Sequence, residues 1–234
     1  MTVRTVISVA ASRNWPLFTT VDYDTHVGGI TDLVLPDATP YQKLIGKLLY
    51  LAITRPDINF VVHVLSQFMQ QPKASHWEAT LRLVRYLMGS SGQGILLKNN
   101  PCTQLTVFCD SDWAACLNTR KSVTGYIVKL GDSIISWKLK KQHTMSRSSA
   151  EAEYRSMTAA ISKIASNPIN HERTNHIEID CHFVRGMIKE GLIVPEHVNT
   201  KNQLVDLLTK ALRTVQHQFL LSKLGVLDVF YPPA

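Results

Sequence analysis

The stretch from Leu105 to Tyr154 constrains this chain most, because it reads as three strands running into a helix, with carboxylates at both ends. Leu105, Val107 and Cys109 alternate with Thr106, Phe108 and Asp110, the period-two pattern of a half-buried strand. Asp110 and Asp112 therefore leave the same face near its end. Ser122 to Leu130 is a second strand-like run, Gly131-Asp132 signals a turn, and Ser133 to Lys141 is a third run that becomes basic. An antiparallel meander is the simplest topology.

In the helix that follows, Ser148 and Glu151 form an S-x-x-E capping box, which gives Glu151 a structural role in satisfying first-turn N–H groups. Glu153 falls on a stripe with Met157, Ala160, Ile161 and Ile164, the spacing of a face turned toward a sheet. A carboxylate packed there needs a hydrogen-bond donor or a metal ion, since burying it unpaired is costly. Asp110 and Glu153 are thus candidates to share a metal.

CDSDWA, the R-K-S-x-T-G-Y run from Arg120 to Tyr126, ISWKLKKQ and SRSSAEAEY together resemble the ribonuclease H domain of copia-type LTR retrotransposon Pol polyproteins, plant ones especially. In that family the first strand supplies an aspartate and the first helix a glutamate. The resemblance implies that these are Asp110 and Glu153, with Asp112 and Glu151 as non-catalytic neighbours. Ala115 stands where the family usually has glycine, and His143 where it often has proline.

Length and composition are those of an ordinary globular chain: 234 residues, 45% hydrophobic and 18% charged, enough for one domain or two small ones. A formal charge of +7 favours an anionic partner such as nucleic acid, with a moderately basic soluble protein as the alternative. Cys102, Cys109, Cys116 and Cys181 show no C-x-x-C pair or zinc spacing, which points to a reduced, intracellular setting. No apolar run reaches the roughly 18 residues of a membrane span, so no membrane partner is expected.

Residues 1–20 contain Arg4, a short apolar run and no acid, as a targeting signal does, but they also resemble the segment before the first catalytic aspartate of copia-type reverse transcriptases. The resemblance stops after Phe18. Asp22 and Asp24 lack the strand-turn-strand setting of a polymerase pair, so polymerase activity is not expected. From Thr39 the chain is read as three helices. Thr39, Pro40 and Gln42 cap the first, with Leu44, Leu48 and Leu51 as its stripe; Pro56 starts the second, with Ile58, Val61, Val62, Leu65 and Phe68; Ser75 and Glu78 box the third. Their text resembles the segment joining polymerase to ribonuclease H. GSSGQG, residues 89–94, is read as a flexible joint and lacks the G-K-S/T of a phosphate loop.

After the first helix the family has a fourth strand with a third carboxylate. Here Ile164 runs directly into Ala165-Ser166-Asn167-Pro168, which resembles family text beyond that strand, and the roughly five residues a strand needs are missing. The aspartate is read as deleted with its strand. HERTNHIEIDCHFVRGMIKEG then resembles the second helix, with Ile177, Cys181, Val184 and Ile188 inward; LIVPEHVNT is read as a short strand. TKNQLVDLLTKAL opens the last helix and places Asp206 where the family has its fourth carboxylate. Without the resemblance, Asp206 is simply a favourable first-turn acid.

The expectations are therefore an α/β ribonuclease H-like mixed sheet lacking its fourth strand, preceded by a three-helix connection segment. The divisions are 1–38 (polymerase remnant and junction), 39–93 (connection), 94–225 (ribonuclease H-like) and 226–234 (tail). The resemblance implies hydrolysis of RNA in RNA–DNA hybrids by two Mg2+ ions, roughly 3.5–4 Å apart in such sites, on Asp110, Glu153 and Asp206. Loss of the third aspartate implies impairment. The competing readings are a non-catalytic nucleic-acid binder and a decayed product without function. Lys138, Lys140, Lys141 and Arg147, with His143 and Trp137, are the candidate contacts to hybrid or duplex, against a solvated strand end. His171, His176, Asp180 and His182 do not share a helix face and read as solvated residues rather than a metal cluster, with Asp180 as a possible stand-in for the lost carboxylate. No small-molecule cofactor is implied, and oligomeric state is left open.

Overall fold

The computed structural model describes residues 32–98, 104–116, 119–164 and 177–230, and only the backbone of 164, 177–181 and 183. The targeting-like segment, Asp22, Asp24, His171, His176 and the 164–165 junction sequence beyond Ile164 lie outside the described residues. The described residues form two compact units, one of 32–96 with 211–230 and one of those between 97 and 210.

In the first unit, α1 (Thr39–Leu51), α2 (Asn59–Ser66) and α3 (Ala74–Gly89) pack around Tyr41, Ile45, Leu48, Ile58, Val62, Leu65 and Leu83. The buried stripe of α1 is Tyr41, Ile45, Leu48 and Ala52, rather than Leu44, Leu48 and Leu51. Tyr41 sets this rotation, because its ring is buried while its hydroxyl donates to Leu65 O at 2.8 Å. Two expected capping roles are also reassigned. Gln42 Nε2 donates to Met69 O, tying α1 to the turn after α2, and the start of α3 is capped by Asp32, which accepts from the N–H and hydroxyl of Ser75. Glu78 is left to pair with Arg82 and Arg85.

The segment read as a flexible joint ends in strand: β1 (Gln93–Ile95) pairs antiparallel with β5 (Val226–Asp228). The helix before β5, Thr214–Leu224, buries Leu220, Leu221 and Leu224 and ends at Gly225, whose φ of 72° suits the left-handed C-terminal position. Its His217 lies with Nε2 3.4 Å from Asp57 O. Burial pushes the His217 imidazole below its ordinary value of 6.5, against the opposing influence of Asp57. The unfolded chain therefore takes up this proton at higher pH than the folded chain, so stability is full above 6.5 and is lost as pH falls from there toward the folded value. Burial shifts His76 in the same direction. Urea midpoints measured between about pH 7 and pH 5 should fall with acidification, and His217→Gln should flatten that dependence.

The second unit has the mixed α/β character expected. Strands β2 (Leu105–Asp112), β3 (Val123–Leu130) and β4 (Ser133–Lys141) form an antiparallel meander in the order β2-β3-β4. The β3–β4 turn uses Gly131 at φ 55°, and a register shift falls between Val128 and Lys129. Helix α4 (Ser149–Ile164) lies on one face of this sheet, where Ala160 packs on Tyr126 and Val128, flanked by Val107 and Cys109. Its start is capped as expected, with Glu151 N–H donating to Ser148 Oγ at 3.1 Å; the Glu151 carboxylate accepts from Arg147 N–H and pairs with Arg155. After α5 (Ile177–Lys189) and Gly191, at φ 70°, residues 192–199 contain no strand, contrary to expectation. Strands are stabilised by pairing, and among the described residues this segment pairs with no strand. Instead of one last helix, the chain makes a 3-10 turn at Thr200–Asn202, the four-residue α6 (Asp206–Thr209), and then α7, the Thr214–Leu224 helix already described.

Candidate functional site

Antiparallel register fixes which side chains share a face. Asp110 is opposite Gly125, and Gly125 opposite Leu139; Asp112 is opposite Val123, and Val123 opposite Lys141. This is the face away from α4. Helix α6 packs against it at Gly125, whose missing side chain makes room: a Cβ there would stand 2.6 Å from Val205 Cγ1 and 2.8 Å from Thr209 Cγ2. That close approach brings Asp206 to Asp110.

At the resulting site Thr209 Oγ1 donates to Asp110 Oδ2 at 3.1 Å. Lys210 Nζ lies 2.7 Å from Asp206 Oδ1 and 3.4 Å from Asp110 Oδ2, joining the two carboxylates. Asp206 is buried, with burial raising its pKa; the hydrogen bond and charge of Lys210 oppose that shift, and the Asp110 charge adds to it. Asp112 is likewise raised, first by burial and also by the charges of Asp110 and Asp206, while Lys210 lowers it. The strand end therefore carries three mutually interacting carboxylates and one ammonium. The edge backbone of β2 is held as well: Gln203 Nε2 donates to Cys109 O, and Ser156 Oγ donates to Asp110 O.

Glu153 is placed differently from the stripe expected of it. It is exposed, and the face of α4 turned to the sheet is built on Ala152, Ser156 and Ala160. Small side chains let the helix lie close, and the Ser156 hydroxyl finds acceptors at Asp110 O and Gly125 O. Burial, with the charges of Asp110 and then Glu153 adding to it, pushes the Cys109 thiol up to about 11. Asp110 and Asp206 are thus brought together, with Asp112 beside them and Glu153 at the flank. Among the described residues, no three His, Cys, Asp or Glu side chains are grouped to hold a metal ion. In this arrangement, with an ammonium between two of the carboxylates, the residues do not fit a pair of divalent ions. The Asp180 side chain lies outside the described atoms.

The expected nucleic-acid residues divide between faces. Lys138 is opposite Tyr126 and Lys140 opposite Thr124, on the α4 side; Lys141 is opposite Val123 on the other side and donates to Cys116 Sγ at 3.8 Å. Arg147 is exposed just before α4. Sequence reading passed over Lys210, Thr209 and the buried Gln142, whose Nε2 donates to Thr124 Oγ1, Ser111 Oγ and Ala152 O. Lys210 was legible as the basic partner four residues after Asp206; nothing local marks Gln142, whose partners come from strands and helix.

No protein-family model matches the chain, and no solved structure does. Over an alignment of 230 positions that covers 86% of this chain, it is 39% identical to the retrovirus-related Pol polyprotein from transposon RE2 of Arabidopsis thaliana. The identity and coverage are the same for that from transposon RE1. Over an alignment of 202 positions, which covers 73% of this chain and 15% of the other, it is 30% identical to the retrovirus-related Pol polyprotein from transposon TNT 1-94 of Nicotiana tabacum. The match covers 16% of each Arabidopsis relative, so the chain spans a small part of those proteins. On this similarity, spread across most of its length, the chain belongs to the Pol polyproteins of copia-type retrotransposons.

Proposed function

We propose that the second unit descends from the ribonuclease H of such a polyprotein and that its hydrolysis of RNA in RNA–DNA hybrids is absent or very weak. The observation that carries this is the bridge from Lys210 to Asp110 and Asp206. Magnesium-dependent cleavage concentrates negative ligands around two cations. Here two of those carboxylates already share an internal cation that offsets part of their charge, while Glu153 is exposed at the flank. Purified protein incubated with a labelled hybrid and magnesium is expected to release little or no RNA. Clear cleavage that Asp110→Asn abolishes would falsify this reading.

A second reading, retained nucleic-acid binding without cleavage, is favoured by the exposed Lys138 on β4, a strand with one neighbour among the described residues, and by the exposed Arg147. It predicts sequence-tolerant binding that weakens steeply with salt and survives Asp110→Asn. Filter binding of a hybrid and of a DNA duplex at low salt tests it, and no retention of either at any protein concentration would end it.

A further inference from the structure

The ammonium of Lys210 is delivered to the carboxylates by the backbone itself. Lys210 N–H donates to Asp206 O at 3.0 Å, closing the turn of α6, so that the lysine side chain rises beside Asp206 at the i+4 position. Thr209, one residue earlier and itself fully buried, holds Asp110 Oδ2 through its hydroxyl. The ammonium therefore faces Asp206 Oδ1 at 2.7 Å and Asp110 Oδ2 at 3.4 Å, with only about a third of the lysine side chain, 36%, exposed. An ammonium is a compact charge with three rotatable donors, suited to bridging two oxygens from different elements. A divalent ion seeking the same two oxygens meets a positive charge already there, in surroundings where screening by water is reduced.

We propose that Lys210 is the resident cation of this carboxylate site. It occupies the place between Asp110 and Asp206 that a divalent ion would take, so the unit folds with the pair bridged by one positive charge and binds divalent ions only weakly until the ammonium leaves. This rests on reading Asp110 and Asp206 as the inherited carboxylates, and adds to it a cause of weak metal binding that lies outside the ligands themselves.

The test is manganese binding to the full chain, followed by electron paramagnetic resonance of free Mn2+ and by thermal unfolding with and without the ion. Without metal, Lys210→Met is expected to melt below the unaltered chain, because Asp110 and Asp206 then face each other unpaired. It should bind Mn2+ at least about tenfold tighter than the unaltered chain and recover its melting temperature in the ion's presence. Adding Asp110→Asn to Lys210→Met should abolish the gain. Lys210→Gln, neutral but still a donor to Asp206, gives the same comparison if the methionine variant does not fold. Equal Mn2+ affinity in the unaltered chain and the folded Lys210 variant overturns the proposal, as does a gain that survives Asp110→Asn. Hybrid cleavage by the unaltered chain would instead overturn the impaired-nuclease reading, and the manganese comparison would still decide the role of Lys210.

Discussion

Asp57→Ala is expected to remove about 3–5 kcal/mol from the stability of the first unit, the cost of leaving a buried charge without its partner. Asp57 Oδ1 accepts from Arg55 Nε at 2.8 Å, and Oδ2 from Arg55 Nη2 at 2.6 Å and from Tyr86 OH at 2.8 Å. Both charged side chains are almost fully buried. The guanidinium also donates to Ser90 O, Ser90 Oγ and Gln93 Oε1, linking the turn before α2 to the end of α3 and the start of β1. Removing the carboxylate strands the Arg55 charge and one Tyr86 hydroxyl bond together. Urea unfolding of the full chain reads the loss. The double variant Arg55→Met/Asp57→Leu should recover more than half of it, since an apolar pair needs no ionic partner. A loss below about 1 kcal/mol, the usual range of exposed pairs, would show that water reaches this pair.

Gly125→Ala should destabilise the second unit by about 1–3 kcal/mol through overpacking. The new methyl would meet Val205 Cγ1 and Thr209 Cγ2 well inside contact distance, and both residues are fully buried, so α6 must move off the sheet. Asp206, Thr209 and Lys210 are carried by or adjoin that helix, so the site should open as stability falls. Gly94→Ala, a strand glycine with open space around its Cβ position, is the control expected to be near neutral. Tryptophan fluorescence during urea unfolding separates the two variants. A Gly125→Ala chain as stable as the unaltered one would mean that α6 does not rest on this glycine.

Several features of both units were legible because they depend on neighbours in the sequence. The alternation of Leu105, Val107 and Cys109 gave β2, the Gly131-Asp132 turn gave the β3–β4 hairpin, and Ser148 with Glu151 marked the start of α4. Rotation of a helix about its axis was harder to read. On α1 the apolar residues are dense enough to support two stripes, and the hydroxyl bond of Tyr41 selects one. On α4 the stripe through Glu153 competes with the small-residue line Ala152, Ser156 and Ala160, and close approach to the sheet selects the small residues. Caps supplied from a distance, such as Asp32 on Ser75, leave no mark within the helix they serve.

The stretch from Leu105 to Tyr154 determined, by itself, the family, the meander and the placement of Asp110 and Asp112 on one face. Such properties follow from period, turn chemistry and residue text, which are written along the chain. Which carboxylates meet was decided only in three dimensions. A glycine on β3 admits α6, that helix brings Asp206 to Asp110, and the next turn supplies Lys210 as their shared cation. Charge pairing acts through space over a few ångströms, and residues about a hundred positions apart reach that distance only after the sheet and helix have packed.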